Sequence, residues 1–271
     1  MSRSGRQGSI SPCLPALILA LALLPSPYSL AETRSDVRLL PAYFTGDFGN
    51  SFDTDITYVP LIWSLRSERQ SLRVIVPWLV VHTDEPIQIV GGDIVQVGSG
   101  GFTEASGPGD VVSIYEYYPM LGNPRASPGR PWIAAGFRIK APTADEEKGL
   151  GTGELDYGPQ LSIAQPLGTA WFLFGEAAYV VRGDPEGVDF RNTLWLSGGC
   201  QLRIGADSML SVALDHRESA IENRPAAEDV TLGFDRRLSS RVTFRSAGYV
   251  GLSETAEDYG LSLGLSVLAS P

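Results

Sequence analysis

The sequence has 271 residues, of which 43% are hydrophobic and 19% charged, too apolar for a disordered chain and too polar for a bundle of membrane helices. A formal charge of −10 leaves no basic surface for nucleic acid. Thirty Gly and 19 Pro suit many short strands joined by turns, and two Cys and two His leave little from which to build a metal site or a disulfide framework, so no cofactor is expected.

Residues 1–31 read as a secretory signal. Arg3 and Arg6 give a positive start, residues 14–24 an apolar run of 11, Pro25 and Pro27 break it, and Ser29-Leu30-Ala31 places small residues where a signal peptidase reads. The run falls short of the ~20 residues of a spanning helix, and Cys13 precedes it rather than ending it, which argues against a lipoprotein. Cleavage after Ala31 gives a mature charge of 19 − 31 = −12 and leaves Cys200 without a partner for an internal disulfide.

The mature chain then alternates with period two, as a sheet with one apolar face does. Weak alternation covers 36–45, followed by a segment at 54–64. In 70–82, Leu72, Val74, Val76, Trp78 and Val80 oppose Arg73, Ile75, Pro77 and Leu79. Residues 110–120 carry Glu116 between aromatics. In 131–141, Ile133, Ala135, Phe137 and Ile139 oppose Arg138 and Lys140, and in 154–164, Leu155, Tyr157, Leu161 and Ile163 oppose Glu154, Asp156, Gln160 and Ser162. Further segments fall at 170–182, 189–202, 208–217, 228–236 and 240–252. In the last, Tyr259, Leu261, Leu263, Leu265 and Val267 oppose Gly260, Ser262, Gly264 and Ser266. The 240 mature residues divided among twelve segments give 20 each, about 10 for a tilted spanning strand and as many for a connection.

Connections near 65–69, 166–169, 203–207 and 237–239 are short. Those near 83–109, 142–153, 183–188, 218–227 and 253–258 are mostly longer. Arg66, Arg69, Arg125, Arg130, Arg203, Arg236 and Arg237 fall in or beside short turns, whereas most loop carboxylates fall in the long ones. This asymmetry matches an all-β, antiparallel, up-and-down barrel of about twelve strands in an outer membrane, with both ends on the periplasmic side. The acidic loops are either plain solvated loops or contacts to anionic lipid and lipopolysaccharide through divalent cations, or they draw cationic solutes to the mouth.

A secreted sandwich would also alternate. As a barrel, the inner face holds Arg73, Glu116, Arg138, Lys140, Glu154, Asp156, Glu176, Arg191, Asp215, Arg217, Asp229, Asp235 and Arg245, and the outer face holds Trp78, Tyr115, Tyr117, Tyr157, Trp171, Tyr179 and Tyr259. An Arg or Lys on the lipid side at mid-membrane would cost ~2–4 kcal/mol, and aromatics near strand ends suit an interfacial girdle. The barrel is the better reading.

Arg66-Ser67 followed by residues 71–79, then Gly107-Pro108-Gly109-Asp110-Val111, Lys140-Ala141-Pro142-Thr143, Gly149-Leu150-Gly151-Thr152-Gly153 and Asp156-Tyr157, resembles a family of outer-membrane transporters called "MetA-pathway of phenol degradation". The matches run from about residue 54 to the C-terminus. The resemblance implies a β-barrel passing small, aromatic or hydrophobic compounds, inserted by the barrel assembly machinery. The chain departs from the usual aromatic ending of such barrels, closing on Val267-Leu268-Ala269-Ser270-Pro271. That places the end of the last strand at Val267, with a short tail beyond, or counts against insertion.

Three functional readings follow. The first is a non-enzymatic channel, with Arg138, Lys140, Glu154 and Asp156 as a charged constriction. The same groups equally suit an ion-pair network bracing a plugged structural or sensing barrel. The third, a lipid hydrolase, needs a Ser beside an imidazole. His216 faces lipid near a rim and Ser219 lies beyond its strand, while His82 sits at a strand end. The glycines of 149–153 lack a following helix or a Lys-Ser/Thr pair, so a flexible loop is expected there rather than a phosphate cradle.

Overall fold

The computed structural model describes residues 33–90, 93–96, 102–121, 129–185 and 189–270. The expected signal segment, Cys13 and Arg125 lie outside them. The described residues form fifteen β-strands and no helix.

Twelve antiparallel staves close into a barrel. The first is made of β1 (Arg34–Leu39) and β2 (Ala42–Gly46), broken at Leu40-Pro41. It is followed by β3 (Thr54–Arg66) and β4 (Gln70–Val90). After β5 (Asp93–Gln96), the fourth stave is β6 (Phe102–Pro108) with β7 (Val111–Met120). The remaining eight are β8 (Trp132–Ala141), β9 (Asp156–Leu167), β10 (Trp171–Val180), β11 (Thr193–Ile204), β12 (Ser208–Arg217), β13 (Ala227–Arg237), β14 (Val242–Gly251) and β15 (Tyr259–Ser270). Closure comes from β15, which pairs with β14 on one side and with β1 and β2 on the other.

The break in the first stave has a local cause. Pro41 has no N–H for a ladder bond, and the stave is interrupted there. Leu40 N still reaches Pro60 O at 3.4 Å, and Pro41 O accepts from Leu263 N at 3.1 Å. Across the seam a Cβ on residue 264 would stand 2.1 Å from Leu39 O, so the approach requires Gly264. The weak alternation of 36–45 is this kink.

Two expectations are corrected. Residues 83–109 are not simply a loop: β4 continues to Val90, β5 folds back on it, and β6 pairs β4 from Trp78↔Pro108 to Ile87↔Phe102. Ile87 and Val90 are buried there, so the segment has apolar side chains without the alternation that marks a two-faced wall. The last strand does not stop at Val267 but runs to Ser270, opposite Ser35.

The faces separate as alternation demands. Leu61, Trp63, Val76, Trp78, Leu161, Leu214, Leu232 and the odd residues 259–267 are exposed outside. The buried apolar cluster lies not between layers but at the long-loop end, where Phe48 and Phe52 of residues 47–53, Ile87, Ile94 and Leu150 meet Leu79, Val81 and Ala105. Each such side chain contributes roughly 1.5–3 kcal/mol. The glycine-rich loop is part of this cluster, contrary to expectation. Leu150 is 2% exposed, Ile89 N donates to Gly149 O at 2.9 Å, and a Cβ at Gly151 would stand 2.8 Å from that of Ala144.

Candidate functional site

A cavity of about 770 Å³ occupies the lumen beside this cluster. Its two sides differ in chemistry. The arc of β2, β3 and β4 presents Phe44, Ile56, Tyr58, Ile75, Pro77 and Leu79, while the arc from β8 to β13 presents Arg138, Lys140, Asp156, Glu176, Asp215, Arg217 and Asp229. Register keeps these charges together on the inner face, because every inward position of β8 from 134 to 140 pairs with an inward position of β9.

Lys140 is the hub of the first network. Its Nζ lies 3.0 Å from Asp110 and 3.1 Å from Asp156, and Arg182 Nη1 donates to Asp156 at 2.8 Å. Asp156 and Arg182 side chains are 5% and 4% exposed, so each carboxylate and cation depends on the other to offset lost hydration. Nearer the short turns, Glu116 accepts from the hydroxyls of Ser71 at 2.9 Å, Tyr118 at 3.1 Å and Ser162 at 3.0 Å. Ser162 Oγ also lies 3.5 Å from Glu176. Arg245 pairs with Asp235 at 2.7 Å, lining a second cavity of about 580 Å³ at the short-turn end.

Arg138 is different. Its guanidinium carbon lies 4.2 Å from the centre of the Trp195 ring, and among the described residues it has no ion pair or hydrogen bond. Arg182 approaches the same ring at 5.3 Å. Stacking holds Arg138 across the lumen while its N–H edge stays available.

Of the residues expected on the inner face, Arg73, Glu116, Arg138, Lys140, Asp156, Glu176 and Arg245 sit on the inner wall, though at different heights. Arg73 stands opposite Ser64 and Ile114. Two lie apart from the lumen: Glu154 precedes β9 and does not line the cavity, while Arg191 precedes β11 and donates to Ser219 O at 3.1 and 3.3 Å, tying two long loops together. Alternation correctly gives their parity but not where the stave ends. The sequence reading does not mark Trp195 or Arg182, and it has Asp110 only as part of the Gly107–Val111 motif. Trp195 shares parity with Arg191 and Ser197, a signal that was available. Asp110 falls at the junction of β6 and β7, and nothing in its own segment shows that it meets Lys140.

Among the long loops, Lys148 hydrogen-bonds Asp145 and holds its carboxyl below the usual range. Opposite, Arg224 donates to Phe48 O and, at 2.8 Å, to Ile94 O, linking residues 218–226 to the apolar cluster. His216 faces outward, with Nδ1 3.0 Å from Glu228 Oε1. Among the described residues no hydroxyl lies within hydrogen-bond distance of either imidazole, so the geometry assembles no Ser-His pair.

No family model matches the chain, and no curated protein does. Among solved structures, it is similar to the COG4313 outer membrane channel from Pseudomonas putida F1, with 14% identity, TM-score 0.69, and 90% of this chain and 98% of that one covered. It also aligns with the KdgM porin at 8% identity, TM-score 0.49, covering 86% and 98%. The CymD monoaromatic hydrocarbon channel aligns at 10% identity, TM-score 0.45, covering 93% of each chain. The first of these likenesses establishes the fold, a β-barrel of outer-membrane type.

Proposed function

We propose that the protein is an outer-membrane channel for small molecules, aromatic or hydrophobic in body, belonging with the transporter family that its sequence resembles. One observation carries this reading: a closed cylinder turns apolar side chains out and holds a cavity of about 770 Å³ within, one wall apolar and the other charged. An exterior this apolar suits hydrocarbon rather than water. A cavity of that size and mixed lining suits a drug-sized solute. Export by residues 1–31, assembly by the barrel machinery and contact of the acidic loops with lipopolysaccharide complete the proposal.

Refolded full-length protein in planar bilayers is expected to give discrete conductance steps, and proteoliposomes to take up small aromatic solutes. Absence of both conductance and flux would overturn the channel. The alternative, a structural or sensing barrel with a plugged lumen, predicts no flux, and no change on neutralising Arg138.

A further inference from the structure

Four basic and six acidic side chains line the main cavity. The imbalance is local. Lys140 and Arg182 are committed to Asp110 and Asp156, and the excess lies where β12, β13 and β14 meet. There Asp215 and Asp229 are directly opposed partners in the register, an arrangement that like charges disfavour. Thr231 Oγ1 reaches both, at 3.2 and 3.5 Å. Glu257, from the loop before β15, joins them. It is 5% exposed, lines the cavity, and has no hydrogen bond or ion pair among the described residues. Among the described residues, Arg217 is the cation beside Asp229 in this corner. Buried charge left so uncompensated calls for a counter-charge.

We propose that this corner is a subsite for an organic cation, an ammonium group carried on an apolar body. The assignment rests on reading the lumen as a solute path. Two features select an ammonium over a metal ion. Among the described residues no three acidic or imidazole groups converge closely enough to ligate a metal, whereas an ammonium accepts a looser ring of oxygens. An aromatic pair also borders the corner: Phe44 and Tyr249 have ring centres 5.1 Å apart, tilted by 58°, and both line the cavity. Aromatic faces with carboxylates recognise ammonium groups. From Phe44 the apolar arc continues through Ile56, Tyr58 and Leu79, so the body of such a molecule lies against β2–β4 while its head reaches Asp229 and Glu257.

The test is isothermal titration of the refolded full chain, in a nonionic detergent, with phenethylamine, 2-phenylethanol, phenylacetate and calcium chloride, alongside uptake of the organic probes by proteoliposomes. Phenethylamine is expected to bind about tenfold or more tightly than 2-phenylethanol, with phenylacetate weakest. Glu257→Gln and Asp229→Asn should each bring the amine-to-alcohol ratio toward one. Glu254→Gln, which removes a charge from the exposed part of the same loop, should leave the ratio as it was. Equal binding of amine and alcohol, a ratio indifferent to Glu257→Gln and Asp229→Asn, or calcium binding more tightly than the amine would each overturn the subsite. Selective binding without any uptake would sink the channel and leave the subsite standing. Uptake without selectivity would do the reverse.

Discussion

The guanidinium of Arg138 on β8 lies 4.2 Å from the ring centre of Trp195 on β11, joining staves separated by β9 and β10 across the lumen. A contact of this kind is worth ~0.5–2 kcal/mol depending on its hydration. Its larger effect is geometric, since it places two bulky side chains side by side in the cavity.

Trp195→Ala should therefore raise single-channel conductance and lower stability only modestly, by about 0.5–2 kcal/mol. Arg138→Met should do the same, and the double variant should add little to either single one. Conductance unchanged in all three variants would show that the contact does not constrict the path.

Asp156→Asn should be the most costly of the lumen substitutions. It removes the buried carboxylate that Lys140 and Arg182 share, and losing one partner of a buried ion group costs about 3–5 kcal/mol. Asp235→Asn breaks a pair whose side chains are each about a third exposed, and should cost ~1 kcal/mol or less. Urea midpoints in lipid vesicles measure both, and equal shifts would contradict the burial argument.

Arg224→Ala removes charge-assisted donors to the Phe48 and Ile94 carbonyls, each worth roughly 1.5–3 kcal/mol. Leu150→Ala hollows the same cluster at a cost of ~2–5 kcal/mol. Both should loosen the long-loop end while the barrel stays closed. The expected signature is faster protease cleavage within residues 142–155 together with an unchanged unfolding midpoint. Unaltered cleavage in both variants would argue that this cluster does not hold the long loops.

Leu232 is 58% exposed near the middle of β13. In a water-soluble protein Leu232→Arg would be nearly neutral. Facing hydrocarbon at mid-depth, it should cost about 2–4 kcal/mol. A variant that refolds into vesicles with no loss of stability would refute the membrane reading.

The walls were legible wherever one face is greasy and the other polar. Residues 70–82, 131–141 and 154–164 show their direction from alternation alone, and with it the inward placement of Arg73, Arg138, Lys140 and Asp156. Alternation failed where both sides of a strand are covered. Ile87 and Val90 continue β4 into the loop cluster, and nothing in their spacing separates a covered strand from an apolar loop. Glu154 and Arg191 have the right parity but stand just past the ends of their staves, and strand ends depend on tertiary contacts. The opposition of Asp215 and Asp229 is a property of register, which neither segment carries by itself, and Glu257 enters from a loop whose course only folding decides.

The seam has a consequence for how the molecule is made. Every other neighbouring pair of staves is contiguous along the polypeptide, but β15 bonds simultaneously to β14 and to β1 and β2, more than two hundred residues upstream. Until β15 reaches β1 and β2, the sheet has two raw edges and no inside. Joining such distant segments is entropically slow, so closure of the ring comes as a late event of folding.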